Sequence, residues 1–128
     1  MKEELYCYLR VSSKSQEEEG NSIENQRFLG QRVSRKLGMK YVEMNEGHYS
    51  TTSKSRPVME EIKHGIRIGR IKNLWYFSRS RWSRSLEEDG LIRRYYFQRF
   101  GTKVFEGESG ELRRYNSPQD KFLDTIFS

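Results

Sequence analysis

Cysteine, histidine and proline are scarce in this 128-residue sequence, with one Cys, two His and two Pro. The lone Cys7 excludes a disulfide framework within the chain and fits a reducing compartment. It sits inside an apolar run and reads as a small buried hydrophobe, not as a thiol nucleophile. His48 and His64 read as loop or surface residues, and no cluster of Asp, Glu and His has metal-ligand spacing, so neither a metal nor another cofactor is expected. The first apolar stretch breaks at Arg10, too early for a secretory leader or a membrane span, so a cytoplasmic protein without membrane contact is expected. There is no GxxxxGK[ST] loop for a nucleotide and no GxSxG elbow for acyl transfer. Internal repeats, low-complexity blocks and proline-rich linkers are missing as well.

Positive charge is plentiful. Twenty-four Lys and Arg stand against eighteen Asp and Glu, a formal net charge of +6, and the sequence pI is near 9.5. That balance favours a polyanionic partner such as DNA or RNA without choosing between them. The length suits one domain, 1–128, with a real core and no second independent unit.

Along the chain, Leu5 to Val11 reads as a parallel strand buried on both faces, ending at Ser12 and Ser13. A polar loop, Lys14 to Gly20, leads to a helix capped by Asn21 or Ser22, carrying Leu29, Val33 and Leu37 and stopped by Gly38. Tyr41 to Met44 reads as a second strand and Asn45 to Lys54 as an exposed loop. Pro57 opens a helix with Val58, Ile62 and Ile66 along one stripe, and Leu74 to Phe77 returns as a third strand. The run Ser78-Arg79-Ser80-Arg81-Trp82-Ser83-Arg84 follows. Ser85 and Glu88 form a capping-box pair for a helix bearing Ile92, Tyr96 and Phe100, closed by Gly101. Lys103 to Phe105 makes a fourth short strand, and the apolar-periodic segment after Ser117-Pro118 reads as a helix cut in mid-course, as in a domain trimmed from something longer. Alternating strands and helices predict a three-layer α/β fold, with a mainly parallel four-stranded sheet and active groups at the carboxyl ends of its strands.

A serine at a strand end attacks phosphorus only if its alkoxide and the charge growing on the phosphoryl oxygens are stabilised. Guanidinium groups do both, because they grip phosphate bidentately and stay charged. Arg10, Arg56, Arg81 and Arg84 are available near Ser12 and the later strand ends. The structural alternatives are plain: Ser12 as a loop cap, the Arg79 to Arg84 run as a solvated basic face, and Arg56 as a helix-entry residue before Pro57. Tyr95, Tyr96, Phe97 and Phe100 have the spacing of core or oligomer contacts more than of base-stacking groups, and Trp82 reads as a packed anchor.

Three segments, taken in order, resemble the catalytic domain of the serine recombinases (the resolvase and invertase family). Tyr8-Leu9-Arg10-Val11-Ser12, Gln16 and Ser22-Ile23-Glu24-Asn25-Gln26 are similar to the opening that delivers an arginine and the nucleophilic serine. Glu46-Gly47-His48-Tyr49-Ser50 and Arg56-Pro57 are similar to the second segment, and Arg81-Trp82-Ser83-Arg84-Ser85 to the paired arginines after the third strand. The polar insert Glu17 to Gly20 is more like the large serine recombinases.

This resemblance implies that Ser12 forms a phosphoserine bond to a DNA 5′ end and releases a 3′ hydroxyl. It implies that Arg10, Arg56, Arg81 and Arg84 hold the phosphate, with Gln26, Ser50, Gln16 and Ser80 at the substrate. Neither ATP nor metal is implied. The partners implied are double-stranded DNA and further copies of the protein, as a homodimer and a synaptic tetramer, and the DNA-bound protein would sit at the nucleoid. One departure stands out: Ser80 occupies the place of the family's usual aspartate, a proton donor or acceptor, which a serine replaces poorly. That departure favours a rival reading, a recombinase-derived DNA-binding or assembly module impaired in catalysis. A generic phosphate-binding domain for nucleotides or RNA is the second rival.

Overall fold

The computed structural model describes residues 2–12, 22–49 and 56–114, the side chains of Ser12, His48 and Tyr49 excepted. β1 (Glu4–Ser12) is an interior strand of a five-stranded sheet, second from one edge. Its partners are β2 (Lys40–Tyr49), β3 (Asn73–Tyr76), β4 (Lys103–Glu106) and β5 (Glu111–Leu112), in the order β2-β1-β3-β4-β5. The first four are mutually parallel and β5 pairs antiparallel with β4. The expected α/β fold is therefore present, but the four strands expected become five, because the two-residue β5 is too short and too exposed to leave a hydrophobic pattern.

Alternation along β1 divides the core. Tyr6 and Tyr8 face one layer together with Leu74 and Tyr76, and Leu5, Cys7 and Leu9 face the other together with Trp75. The second layer is covered by α1 (Ile23–Leu37), which brings Leu29 and Val33. Ser22 caps α1 by accepting a hydrogen bond from Asn25 N at 3.1 Å, and Gly38 ends it at φ 69°. Gly30 lets α1 sit close to the sheet: a Cβ there would lie 3.1 Å from the Tyr41 ring, 3.2 Å from Trp75 and 3.3 Å from Cys7 Sγ.

The first layer is covered by α2 (Pro57–Arg67) and α4 (Leu86–Ile92), with Met59, Ile62, Ile66 and Ile92 buried against the tyrosines. A single turn, α3 (Arg79–Trp82), intervenes and buries Trp82. That indole stands edge-on to Tyr8 at 5.1 Å and stacks on Tyr76 at 5.6 Å, with Phe97 at 5.8 Å, so Trp82 is the packed anchor expected. Its Nε1 has no hydrogen-bond partner among the described residues.

Two expectations from periodicity fail. β2 runs on to Tyr49, through residues read as loop, because pairing with β1 continues to Ser12 opposite Tyr49; an edge strand keeps its ladder without an apolar sequence. The stripe Ile92, Tyr96 and Phe100 is displaced, because α4 continues as a π-helix over Arg93–Gln98. The wider turn puts Ile92 and Phe97, five residues apart, into the core and leaves Phe100 exposed. Tyr95 is likewise exposed and Tyr96 half-buried, so Phe97 is the one of those four aromatics that is fully a core residue.

Candidate active site

Arg10 lies two residues before Ser12, and the structure fixes it from two sides. From α1, the Gln26 side chain grips its backbone: Arg10 N donates to Gln26 Oε1 at 3.3 Å and Gln26 Nε2 donates to Arg10 O at 3.0 Å. Gln26, fully buried, thus anchors the strand end that carries Ser12. From α3, the Arg10 guanidinium donates through Nε to Arg81 O at 3.1 Å and through Nη2 to Ser80 O at 2.6 Å. α3 has only four residues, so its last carbonyls lack a following turn of N–H groups and accept guanidinium donors instead.

Arg56 arrives from a third element, as the residue before Pro57 at the start of α2. Its Nη1 donates to Trp82 O at 3.3 Å and to Glu88 Oε1 at 3.2 Å. Arg10, Arg56 and Arg81 retain 8%, 8% and 9% of their surface. Burial lowers the Arg10 pKa from the ordinary arginine value, and the charges of Arg56 and Arg81 lower it further; the group stays a cation regardless. Arg84 is exposed, with its backbone N–H on Glu88 Oε1 at 2.7 Å and its Nε 3.9 Å from Glu88 Oε2.

The structure therefore brings together Arg10, Arg56 and Arg81 at the carboxyl end of β1, with Gln26 behind them and Arg84 at the rim. Ser80 contributes its carbonyl, while its exposed hydroxyl lies 3.0 Å from Ser78 Oγ. Of Ser12 the backbone alone is described, at the end of β1 opposite Tyr49. Ser50, Gln16, and the expected helix after Ser117-Pro118 lie outside the described residues. His64 is exposed and Cys7 fully buried, its thiol pushed up to about 12 by burial. Among the described residues no three His, Cys, Asp or Glu side chains are grouped to hold a metal ion, and no helix is long and apolar enough to cross a membrane.

Sequence reading missed Glu46. The register of β1 against β2 slips between Leu9 and Arg10, so that Leu9 faces Asn45 and Arg10 faces Gly47, and Glu46 is the extra residue. The bulge turns its carboxylate, almost fully buried, onto the start of α2. There it accepts Val58 N at 2.9 Å, Met59 N at 3.0 Å and Tyr8 OH at 2.8 Å. Arg56 cannot cap α2, so Glu46 satisfies its orphan N–H groups from the next strand and thereby sets where Arg56 stands. The available signal was a helix start with an arginine where a capping side chain belongs.

This arrangement is a mostly parallel α/β domain with three nearly buried arginines at the carboxyl end of an interior strand. The model of the resolvase N-terminal domain matches residues 5–128, and the chain belongs to that family, the serine recombinases. No curated protein matches the sequence. Among solved structures, the N-terminal catalytic domain of TP901-1 integrase superposes with a TM-score of 0.72 at 20% identity, covering 97% of this chain and 90% of that one. A resolvase-family site-specific recombinase from Streptococcus pneumoniae superposes at 0.64 with 21% identity, covering 98% and 86%. At these identities the two structures establish the shared fold.

Proposed function

We propose that this chain is the catalytic domain of a site-specific DNA recombinase that works through a covalent 5′-phosphoserine intermediate on Ser12. The observation that carries the reading is the convergence of Arg10, Arg56 and Arg81 at the strand end that presents Ser12. In the reaction, Ser12 Oγ loses its proton and attacks the scissile phosphorus, the P–O3′ bond breaks, and the 3′ oxygen takes up a proton. The buried guanidinium groups bind the non-bridging oxygens and stabilise the charge that grows on them, while Arg84 holds the phosphate from the rim. Attack by a 3′ hydroxyl on the phosphoserine rejoins the strands, so no external energy source is needed. Ser80, with an exposed hydroxyl, leaves proton transfer to water or to another group. Gln26 holds Arg10, and Ser50 and Gln16 complete the substrate contacts. The DNA partner is double-stranded, and the reading extends to a homodimer that pairs into a synaptic tetramer.

The test uses the protein and its Ser12→Ala variant with nicked candidate-site DNA, in EDTA and without ATP. Protein attached to a DNA 5′ end in the first case and missing in the second is the expected result. Site binding with no adduct in either case would overturn the reading in favour of a module impaired in catalysis.

A further inference from the structure

Glu88 stands where an anion belongs. Its Oε1 accepts Arg56 Nη1 at 3.2 Å and Arg84 N at 2.7 Å, and its Oε2 faces Arg84 Nε at 3.9 Å. In an ordinary capping box the third helical residue reaches back to the cap residue's own N–H. Here Ser85 is the cap and accepts Glu88 N at 3.0 Å, yet the Glu88 carboxylate passes over Ser85 to the N–H of Arg84 and onward to Arg56. Two guanidinium groups and a backbone N–H around one carboxylate form the donor set that a phosphate oxygen pair would take. A cavity of about 300 Å³ opens at this point, lined by Arg56, Lys63 and Arg84 with Glu60 and Glu88. Lys63 is held by Glu60 at 3.1 Å. The lining is thus three cations against two carboxylates, and loss of the Glu88 charge doubles its net positive charge.

We propose that Glu88 is an internal competitor for the phosphate site. It keeps the nearly buried Arg56 paired and in place, and it must leave Arg56 and Arg84 before a DNA phosphate can bind them. This deepens the recombinase reading and rests on it. A carboxylate with this role makes the empty site stable and sets a threshold that weakly bound DNA does not cross. Asp89, the next residue, does not share the role, because it turns into the core and pairs with Arg113.

The test is a titration with inorganic phosphate, following the Nε–Hε resonances of Arg56 and Arg84 in the wild-type protein and in Glu88→Gln. Glutamine keeps an acceptor for Arg84 N–H and removes the charge. The expected result is phosphate-induced shifts at both arginines, with binding about five-fold tighter in Glu88→Gln, the scale of a partly exposed ion pair removed. Glu88→Ala carries the same expectation should the glutamine variant fold poorly. Ser85→Ala weakens the start of α4 but keeps the carboxylate, and it should bind phosphate as the wild type does. Equal affinity in wild type and both Glu88 variants overturns the proposal, as does an equal gain in Ser85→Ala, which would assign the effect to a loosened helix. The readout needs no DNA cleavage, so absence of a Ser12 adduct counts against the recombinase reading, and an unchanged phosphate affinity counts against Glu88 alone.

Discussion

Two of the places where this domain withdraws arginine from solvent are built on opposite terms. Just after β5, the Arg113 guanidinium meets Asp89 through both carboxylate oxygens, at 3.0 and 2.7 Å, and donates to Tyr76 OH at 2.9 Å. Burial opposes its charge, but Asp89 and Tyr76 outweigh burial and the pKa rises above the ordinary arginine value. At the end of β1, by contrast, Arg10, Arg56 and Arg81 are crowded together, Arg10 held by the Ser80 and Arg81 carbonyls and Arg56 by the Trp82 carbonyl and Glu88, and Arg10 is shifted down by burial and by its neighbours' charge. A guanidinium matched in this way ties α4 to the sheet. A crowded cluster of guanidinium groups is costly to keep together, and under the proposed function that cost is offset when an anion binds.

The comparison breaks most sharply at the matched site. Asp89→Ala leaves the half-buried Arg113 without its carboxylate and is expected to lower stability by about 3 kcal/mol, the lower end of the range for removing one partner of a buried pair. Urea denaturation measures it, and a loss below about 1 kcal/mol would mean that the pair is no structural tie. The crowded site should respond the other way round. Arg56→Gln is expected to cut Ser12-adduct formation about a hundredfold, the scale of one lost oxyanion donor, with stability held within about 1 kcal/mol because removing a charge from a crowded cation cluster offsets lost hydrogen bonds. Equal damage to stability and to adduct formation would erase the distinction between the two sites.

Much of the crowded site is legible in the sequence, because it depends on order. Arg10 before Ser12 at the end of an apolar strand, Arg56 before Pro57, and Arg81 and Arg84 after the third strand are all readable, since strand ends on one side of a parallel sheet converge. Cys7, Trp82 and the Ser85–Glu88 cap are readable for local reasons. The acidic residues that manage the arginines are not. Glu46 acts on α2 only because a bulge turns it there, and Glu88 meets Arg56 across 32 residues of chain. The π-helical turn is equally hidden, since a stripe spaced for an α-helix gives no notice that Phe97 replaces Tyr96 in the core.

Glu46 supplies the next test. Glu46→Ala strips Val58 N, Met59 N and Tyr8 OH of their shared acceptor, and a loss of about 2 kcal/mol is expected, the upper range for a lost helix cap. Because α2 carries Arg56, the same variant should also reduce adduct formation, and Glu46→Gln, which keeps an acceptor, should recover part of both. If adduct formation is untouched while stability falls, Glu46 supports the fold without positioning Arg56.

The smallest effect sharpens the comparison from the acidic side. Glu106, at the end of β4, is half-buried and its pKa is raised, first by burial, with the charge of Asp89 adding and Arg113 opposing. A carboxyl whose folded pKa lies above its unfolded value favours the fold when protonated. Its contribution is complete below the ordinary glutamate range and is lost as pH rises through the raised value. Glu106→Gln imitates the protonated form, so it should raise the melting temperature at about pH 7 and change it little at about pH 4. A gain that persists unchanged at the lower pH would trace to packing instead of charge. A gain confined to neutral pH would show that the matched site carries surplus negative charge, the mirror of the surplus positive charge around Arg10.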